Sequence, residues 1–457
     1  MKGVPNQSNL NIITWQPEPP RDTKQSSSNV KSGKRVNGFE QWTKKNIEQV
    51  DEAKYRCQEY HYLPTSLFIL NSSQKKEDDK KFEESSNIAS AAKSGDMALL
   101  NSLKHQNLIT ADDARANNNY SFRIAAENGH VDVLRFLKHE FGLTADDARA
   151  DDNEALTTAA YRGHVDVLHC LKRDFGLTAD DARAHNNFAF RMAAENGHVD
   201  VLRFLKHEFK LTDEDARTDN NDALIEAAAH GHLHVLRFVK DAFGLTSEDA
   251  RAKYNEALRK AAENGHVEVL RYLKNDFGLT TNDVRAIDNH ALRWAIWSGH
   301  VDVMRCLKND FGLTADDARA EKNEALIRAA TKGHVEALRC LKYEFGFTTN
   351  DARANNNKAF QEASLHGHVD VMRCLKNDFG LTTKDARADY NKALENAIHS
   401  GNVEVLRVLK DEFRLTAADV KTLGSNEALR YAAQRGYEDV FTFFKNEWGL
   451  ILSKKFI

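Results

Sequence analysis

Histidine, cysteine, arginine and aspartate are the residue types here that could hold a metal, attack a substrate or clamp a phosphate. Their spacing argues against all three. Of 19 histidines, eight follow a glycine: His130, His164, His198, His232, His266, His300, His334 and His368. A residue that returns at one fixed place belongs to a repeated turn, not to a single active site. His230-Gly231-His232-Leu233-His234 is the one run with the look of a metal cluster, since imidazole is a common zinc ligand. Yet His232 is one of the recurring eight, and the trio straddles a turn with no partner acid implied.

The thiols follow the same logic. Cys170, Cys306, Cys340 and Cys374 each lie seven residues after such a glycine, where other units carry Phe136, Phe204, Phe238, Tyr272, Val408 and Phe443. They fill an apolar packing slot, as free cysteines commonly do, and fit a reducing, intracellular compartment. Cys57 with His61 is the only Cys-His pair outside the repeats, and about 85 residues is little room for a catalytic domain. Arginines also recur, at Arg115, Arg149, Arg183, Arg217, Arg251, Arg285, Arg319, Arg353 and Arg387, each two residues after an aspartate. A purely basic stripe would suit phosphate. Alternating signs instead suit a structural ladder between stacked units. No Gly-rich phosphate loop, nucleophile elbow or zinc spacing is present. The expectation is a protein that is not an enzyme and carries no cofactor.

What positions these residues is a repeat. Glycines stand at Gly95, Gly129, Gly163, Gly197, Gly231, Gly265, Gly299, Gly333, Gly367, Gly401 and Gly436, a step of 34 residues until the last, which is 35. Eleven units at one period predict a solenoid of stacked supersecondary units. In the unit around Gly265, Leu258, Ala261 and Ala262 form the apolar stripe of a first helix. Asn264-Gly265-His266 is a turn, with glycine where a left-handed residue ends a helix. Leu270, Leu273 and Phe277 share a face of a second helix, closed by Gly278. Thr280 with Asp283 reads as a capping box that opens a third, short helix over Leu279 to Ala286.

The run Ala-Ala-Glu-Asn-Gly-His-Val-Glu-Val-Leu at Ala261 to Leu270 resembles the core of the ankyrin repeat, and the likeness covers about residues 85 to 457. It departs from the family twice. Forms such as Glu256-Ala257-Leu258-Arg259 replace the Thr-Pro-Leu-His opening, and the Leu-Thr-x-x-Asp-Ala-Arg-Ala piece replaces the hairpin finger. The fold class expected is therefore all-α, an ankyrin-like solenoid with a short helix in place of that finger. The array also resembles repeats in proteins that intracellular bacteria deliver into host cells.

Net charge of −4 argues against nucleic acid as the main partner. No run of 18 apolar residues offers a membrane span. Residues 1–37 are polar and Ser-rich, a disordered tail by composition. Residues 38–82 read as an N-terminal helical or capping segment, and residues 83–457 as the array of eleven units. Within the capping segment, Leu63-Pro64-Thr65-Ser66-Leu67-Phe68-Ile69-Leu70 faintly resembles the opening of an F-box. That likeness supplies the alternative reading of an adaptor, whose N-terminal segment recruits ubiquitin machinery to a target held by the repeats.

Function must lie at positions that vary between units. The resemblance implies a concave surface that includes the end of the first helix, and a monomeric, cytoplasmic scaffold for a protein partner. One and two residues before the glycine, most units carry polar side chains. Trp297 and Leu365 are exceptions, Trp294 stands where other units carry Lys260 or Arg328, and Ile287 replaces Asp219, Lys253 or Glu321. With Arg328 and Lys332 one unit on and Leu365-His366 a further unit on, these residues predict an apolar centre with a basic edge, suited to an acidic or amphipathic segment. The competing reading is local repacking of the core, because Ile296 replaces an alanine in the same unit.

If the cysteine slot asks only for apolar volume, Cys306→Val and Cys340→Val leave the thermal melt and partner binding nearly unchanged. Loss of binding with intact helicity would reveal a chemical role for the thiols.

Overall fold

The computed structural model describes residues 87–423 and 427–450, all within a compact unit spanning 77–457. The tail, the 38–82 segment and its F-box-like run lie outside the described residues. Among the described residues there are helices and turns but no strand. The repeating units stack in chain order, first helix on first helix and second helix on second helix. One continuous core runs between the two layers.

The unit around Gly265 shows how the sequence builds each layer. Ala257, Leu258, Ala261 and Ala262 are buried in the first helix, and the paired alanines let the neighbouring first helices approach closely. The second helix, Val267–Asn275, buries Val269, Leu270, Tyr272 and Leu273. Phe277 and Leu279 then fold beneath it. The cysteine slot is as expected: Cys170, Cys306, Cys340 and Cys374 are buried and unbridged. Burial pushes the Cys306 thiol up to about 12, with the neighbouring Asp310 adding to it, so no thiolate forms at neutral pH.

Two devices register one unit on the next. The first lies at the glycine turn. Gly299 is left-handed at φ +78°, and a Cβ there would sit 2.8 Å from Nδ1 of His334 in the following unit. The His334 ring therefore occupies the space of the missing side chain, and its Nε2–H donates to the Trp297 carbonyl at 2.9 Å. His164, His198, His266 and His368 do the same to Glu127, Tyr161, Ala229 and Thr331 at 2.9–3.0 Å. The recurring histidines are spacers and donors of the stack.

The second device is the arginine–aspartate ladder. Each arginine reaches the aspartate of the next unit, not the one two residues before it. The Nε–Oδ1 distances for the nine pairs, Arg115–Asp147 to Arg387–Asp419, are 2.6–3.0 Å. The same carboxylate closes a capping box in its own unit. Asp283 accepts from the Thr280 backbone N–H at 2.7 Å and the Thr280 hydroxyl at 2.9 Å, while Arg251 Nε donates to it at 2.8 Å. The short helix Thr281–Val284 starts on that box. It stands where the ankyrin finger would be.

Between the short helix and the first helix, where the sequence reading places only a connection, lies a turn of unusual backbone. Lys253, Tyr254 and Asn255 are all left-handed, at φ +51°, +57° and +61°. Eight other units repeat this three-residue turn, from Asn117–Asn119 to Asp389–Asn391, and its third residue is always Asn. L-residues resist this conformation by roughly 1–2 kcal/mol each, least for Asn and Asp. Composition accommodates that cost, because Asn and Asp fill most of the positions.

Two outcomes are expected. Gly299→Val costs at least about 1 kcal/mol, from left-handed backbone strain and collision with the His334 ring. Part of that loss is absent in a His334→Ala background, so a thermal double-mutant cycle is non-additive; strict additivity would refute the contact. The ladder also predicts acid lability. At Asp283 burial acts to raise the carboxyl pKa, but Arg251 and the Thr280 amide and hydroxyl outweigh it. At Asp317 the Arg285 hydrogen bond dominates and holds the carboxyl at about 2. These groups hold fewer protons folded than unfolded, so their stabilisation is full above about pH 4 and lost as pH falls through the folded values. Midpoint temperature should therefore fall steeply between about pH 4 and pH 2, and Asp317→Asn should flatten part of that slope.

Candidate partner interface

The unit around Gly299 departs from its neighbours on the exposed side of the first helix. Ala291, Leu292, Ala295 and Ile296 take the buried stripe, and Ile296 fills an alanine slot completely out of solvent. Trp294 and Trp297 point away from that stripe and are half-buried. Their rings meet edge to face with centroids 6.3 Å apart, and His290 lies against Trp294 at 5.6 Å. The larger Ile296 packs the core, and the tryptophans remain as a surface pair beside it.

The next unit supplies the cations. Lys332 Nζ stands 4.0 Å from the Trp297 ring centroid and the Arg328 guanidinium 5.6 Å, arrangements worth about 0.5–2 kcal/mol each. Lys332 is exposed and forms an open basic edge. Arg328 is not such an edge. It is 7% exposed and ion-paired to Glu324 at 2.8 Å, because a guanidinium one turn in from the helix end lies between two first helices. Its guanidinium lies against the Trp297 ring.

Ile287, Trp294, Trp297, Arg328 and Lys332 thus belong to adjoining units, and ring contacts join the last four. Leu365 and His366 lie one unit beyond. Leu365 is 36% exposed, and His366 pairs with Glu362 of its own helix at 3.5 Å. Among the described residues no ring contact or ion pair links them to the tryptophans. Ile287 occupies the first left-handed position of its turn, at φ +51° and ψ +58°. It is the one β-branched residue at positive φ among the described residues, a conformation that such side chains avoid strongly.

Sequence reasoning missed His290 and Arg293. Burial first, then the charges of Arg259, Arg293, Lys260 and Arg328, push the His290 imidazole down to about 3, so it is neutral at pH 7. The signal was available in the register: the corresponding residues of the flanking units are the carboxylates Glu256 and Glu324. The His230-His232-His234 run, by contrast, is stacked and edge-on to itself, and His234 donates to the Gly197 carbonyl. No His, Cys, Asp or Glu group among the described residues is arranged to hold a metal ion.

Tandem stacking of two-helix units with a third short element defines the chain as a helical repeat solenoid. The family model described as Ankyrin repeats (many copies) matches residues 122–171, from the first helix of one unit through the second helix of the next. The same unit recurs along the stack, so the likeness to ankyrin repeats found at 122–171 extends to a tandem array of similar units. No curated protein matches it. No helix among the described residues is long and apolar enough to cross a membrane.

Because Ile287 is strained and its neighbours in the turn are not β-branched, Ile287→Asn should raise the thermal midpoint, by a stabilisation of about 1 kcal/mol. An unchanged or lower midpoint would show that Ile287 contributes packing that offsets its strain.

Proposed function

We propose that the protein is a non-enzymatic scaffold whose repeats hold a protein partner on the face formed by the ends of the first helices, centred on Trp294 and Trp297. Ankyrin repeats are in general protein-binding modules, and the coarse assignment follows from the family. The finer reading rests on one observation: a half-buried tryptophan pair at positions that are polar in most other units, edged by cations of the next unit. Interfaces concentrate their energy in a few aromatic and arginine anchors held in partly desolvated surroundings. Nothing in the stacking of the unit requires indoles there, since Glu263 and Thr331 take the place of Trp297 in the adjacent units. The buried, unbridged cysteines suit a reducing compartment.

The test is affinity for a partner recovered with the full chain and then purified. Truncating a central aromatic anchor typically costs about 2 kcal/mol or more, so Trp297→Ala should weaken binding roughly tenfold or more while the melt is retained. Glu263→Ala, at the same place one unit earlier, should do little. If Trp297→Ala melts the array and the remaining folded fraction binds normally, the tryptophan is core and this face is not the site.

A further inference from the structure

The electrostatics around the tryptophan pair specify the partner more closely. In two other units an arginine six residues before the glycine reaches forward to acids of the following unit. Arg123 meets Asp151 at 3.2 Å and also bonds Glu154. Arg191 meets Asp219 at 3.6 Å and Asp222 at 2.7 Å. The same register brings Arg259 to the unit of the tryptophans, where the two acidic positions are Ile287 and His290. Arg259 donates to the Tyr254 and Lys253 carbonyls at 3.1 and 3.2 Å, as Arg191 does to the carbonyls of its own turn. Its side chain is thus held in the forward-facing pose while the acids ahead of it have been exchanged for an aliphatic and a neutral imidazole.

The unit then adds a further cation. Arg293 makes no hydrogen bond or ion pair among the described residues, and its Nε is buried without a partner. Of Glu321 and Glu324, the two acids that the register would offer it, Glu324 is bonded to Arg328 instead and Glu321 makes no ion pair with it. Lys260 stands on the other flank, paired with Glu263 at 3.3 Å. Arg259, Arg293, Lys260 and Arg328 thus all act on His290, which lies against Trp294, while Lys332 stands at the Trp297 ring.

We propose that this face accepts an acidic segment of a partner protein, one carboxylate of which seats beside Arg293 and His290 while a neighbouring apolar side chain lies on Trp294 and Trp297. The partner's acid takes the part that Asp151 and Glu154, or Asp219 and Asp222, take inside the array. The proposal rests on the reading that the tryptophan face is the binding site and adds the place at which the partner's charge is received. Complementary charge of this kind fixes register and rejects basic competitors. The strained Ile287 is consistent with it, since Asp at that position would relieve the backbone and return an internal acid.

The experiment selects random dodecapeptides displayed on phage against the full chain at low salt, and measures the recovered peptides on four proteins. The expected result is enrichment of Asp or Glu next to Leu, Phe or Trp. Affinity should fall at least tenfold in both Arg293→Gln and Trp297→Ala. The decisive variant is His290→Glu, which rebuilds the internal acid and so should keep or raise the melting temperature while weakening acidic peptides at least tenfold. Peptides that need Trp297 but are neutral or basic, or are indifferent to Arg293→Gln and His290→Glu, overturn this inference and leave the tryptophan face standing. Peptides indifferent to Trp297→Ala, or an empty selection, overturn both. A single-stranded oligonucleotide that binds through Arg293 with no acidic peptide selected also overturns it.

Discussion

One carboxylate per unit joins the stack together. Asp283 and its eight counterparts each serve two masters, closing the capping box of their own short helix and receiving the arginine of the preceding unit. Neither task alone would hold much. A capping interaction is worth about 1 kcal/mol and an exposed ion pair less. Combined on one largely buried carboxylate they become cooperative, because the capping box fixes the oxygens in the pose that the guanidinium needs. The short helix that stands in place of the ankyrin finger follows from this. Its four residues are too few to persist alone, and both its capping box and its contact with the neighbouring unit run through that one aspartate.

The opposite edge is governed by a different economy. There the interval between units is a histidine ring laid on a glycine, which is why glycine is needed twice over, for its backbone and for its lack of a side chain. Contacts at both edges reach one unit and no further. Stability in such an array is the sum of unit and nearest-neighbour terms. A single unit can therefore depart from the pattern without unravelling its neighbours. The unit around Gly299 does so. It keeps the ladder and the glycine turn, and its changes fall at Ile287 in the left-handed turn, at Ile296 in the buried stripe and at the tryptophans on the exposed side of the first helix.

Most of the frame was legible in the sequence because it depends on period and register. The glycine spacing gave the units, the Thr-x-x-Asp spacing gave the capping box, and the shared slot of the cysteines gave their burial. The arginine ladder was legible as a ladder, though its true partners lie 32 residues ahead, where only stacking brings them. The left-handed turn was not legible, since Ala-x-x-Asn also fits the start of a helix and the strain is sustained by tertiary contacts. The candidate face was read in part. Trp294 and Trp297 announced themselves by size. His290 and Arg293 did not, because their meaning lies in the acids that the register leads one to expect and that are not there. Arg328 was misjudged because helix position alone does not reveal which side chains the next helix covers.

The two-sided aspartate also bears on how such a chain could have arisen. Each of the eight units from Gly129 to Gly367 presents an arginine toward the unit that follows and an aspartate toward the unit that precedes it, so any of these copies fits between any two others. Duplication of whole units then extends the array without any adjustment of its joints. The sequence retains traces of this. Residues 125–141 and 193–209 are identical, as are residues 301–314 and 369–382, and in both cases the copies stand two units apart. The arginines that reach forward to acid pairs, Arg123 and Arg191, share that two-unit interval, and Arg259 is the next in the series. Genetic copying in pairs would account for the alternation. At the tryptophan unit the arrangement differs: Arg259 of the preceding unit is present, and Ile287 and His290 stand where the acids would be.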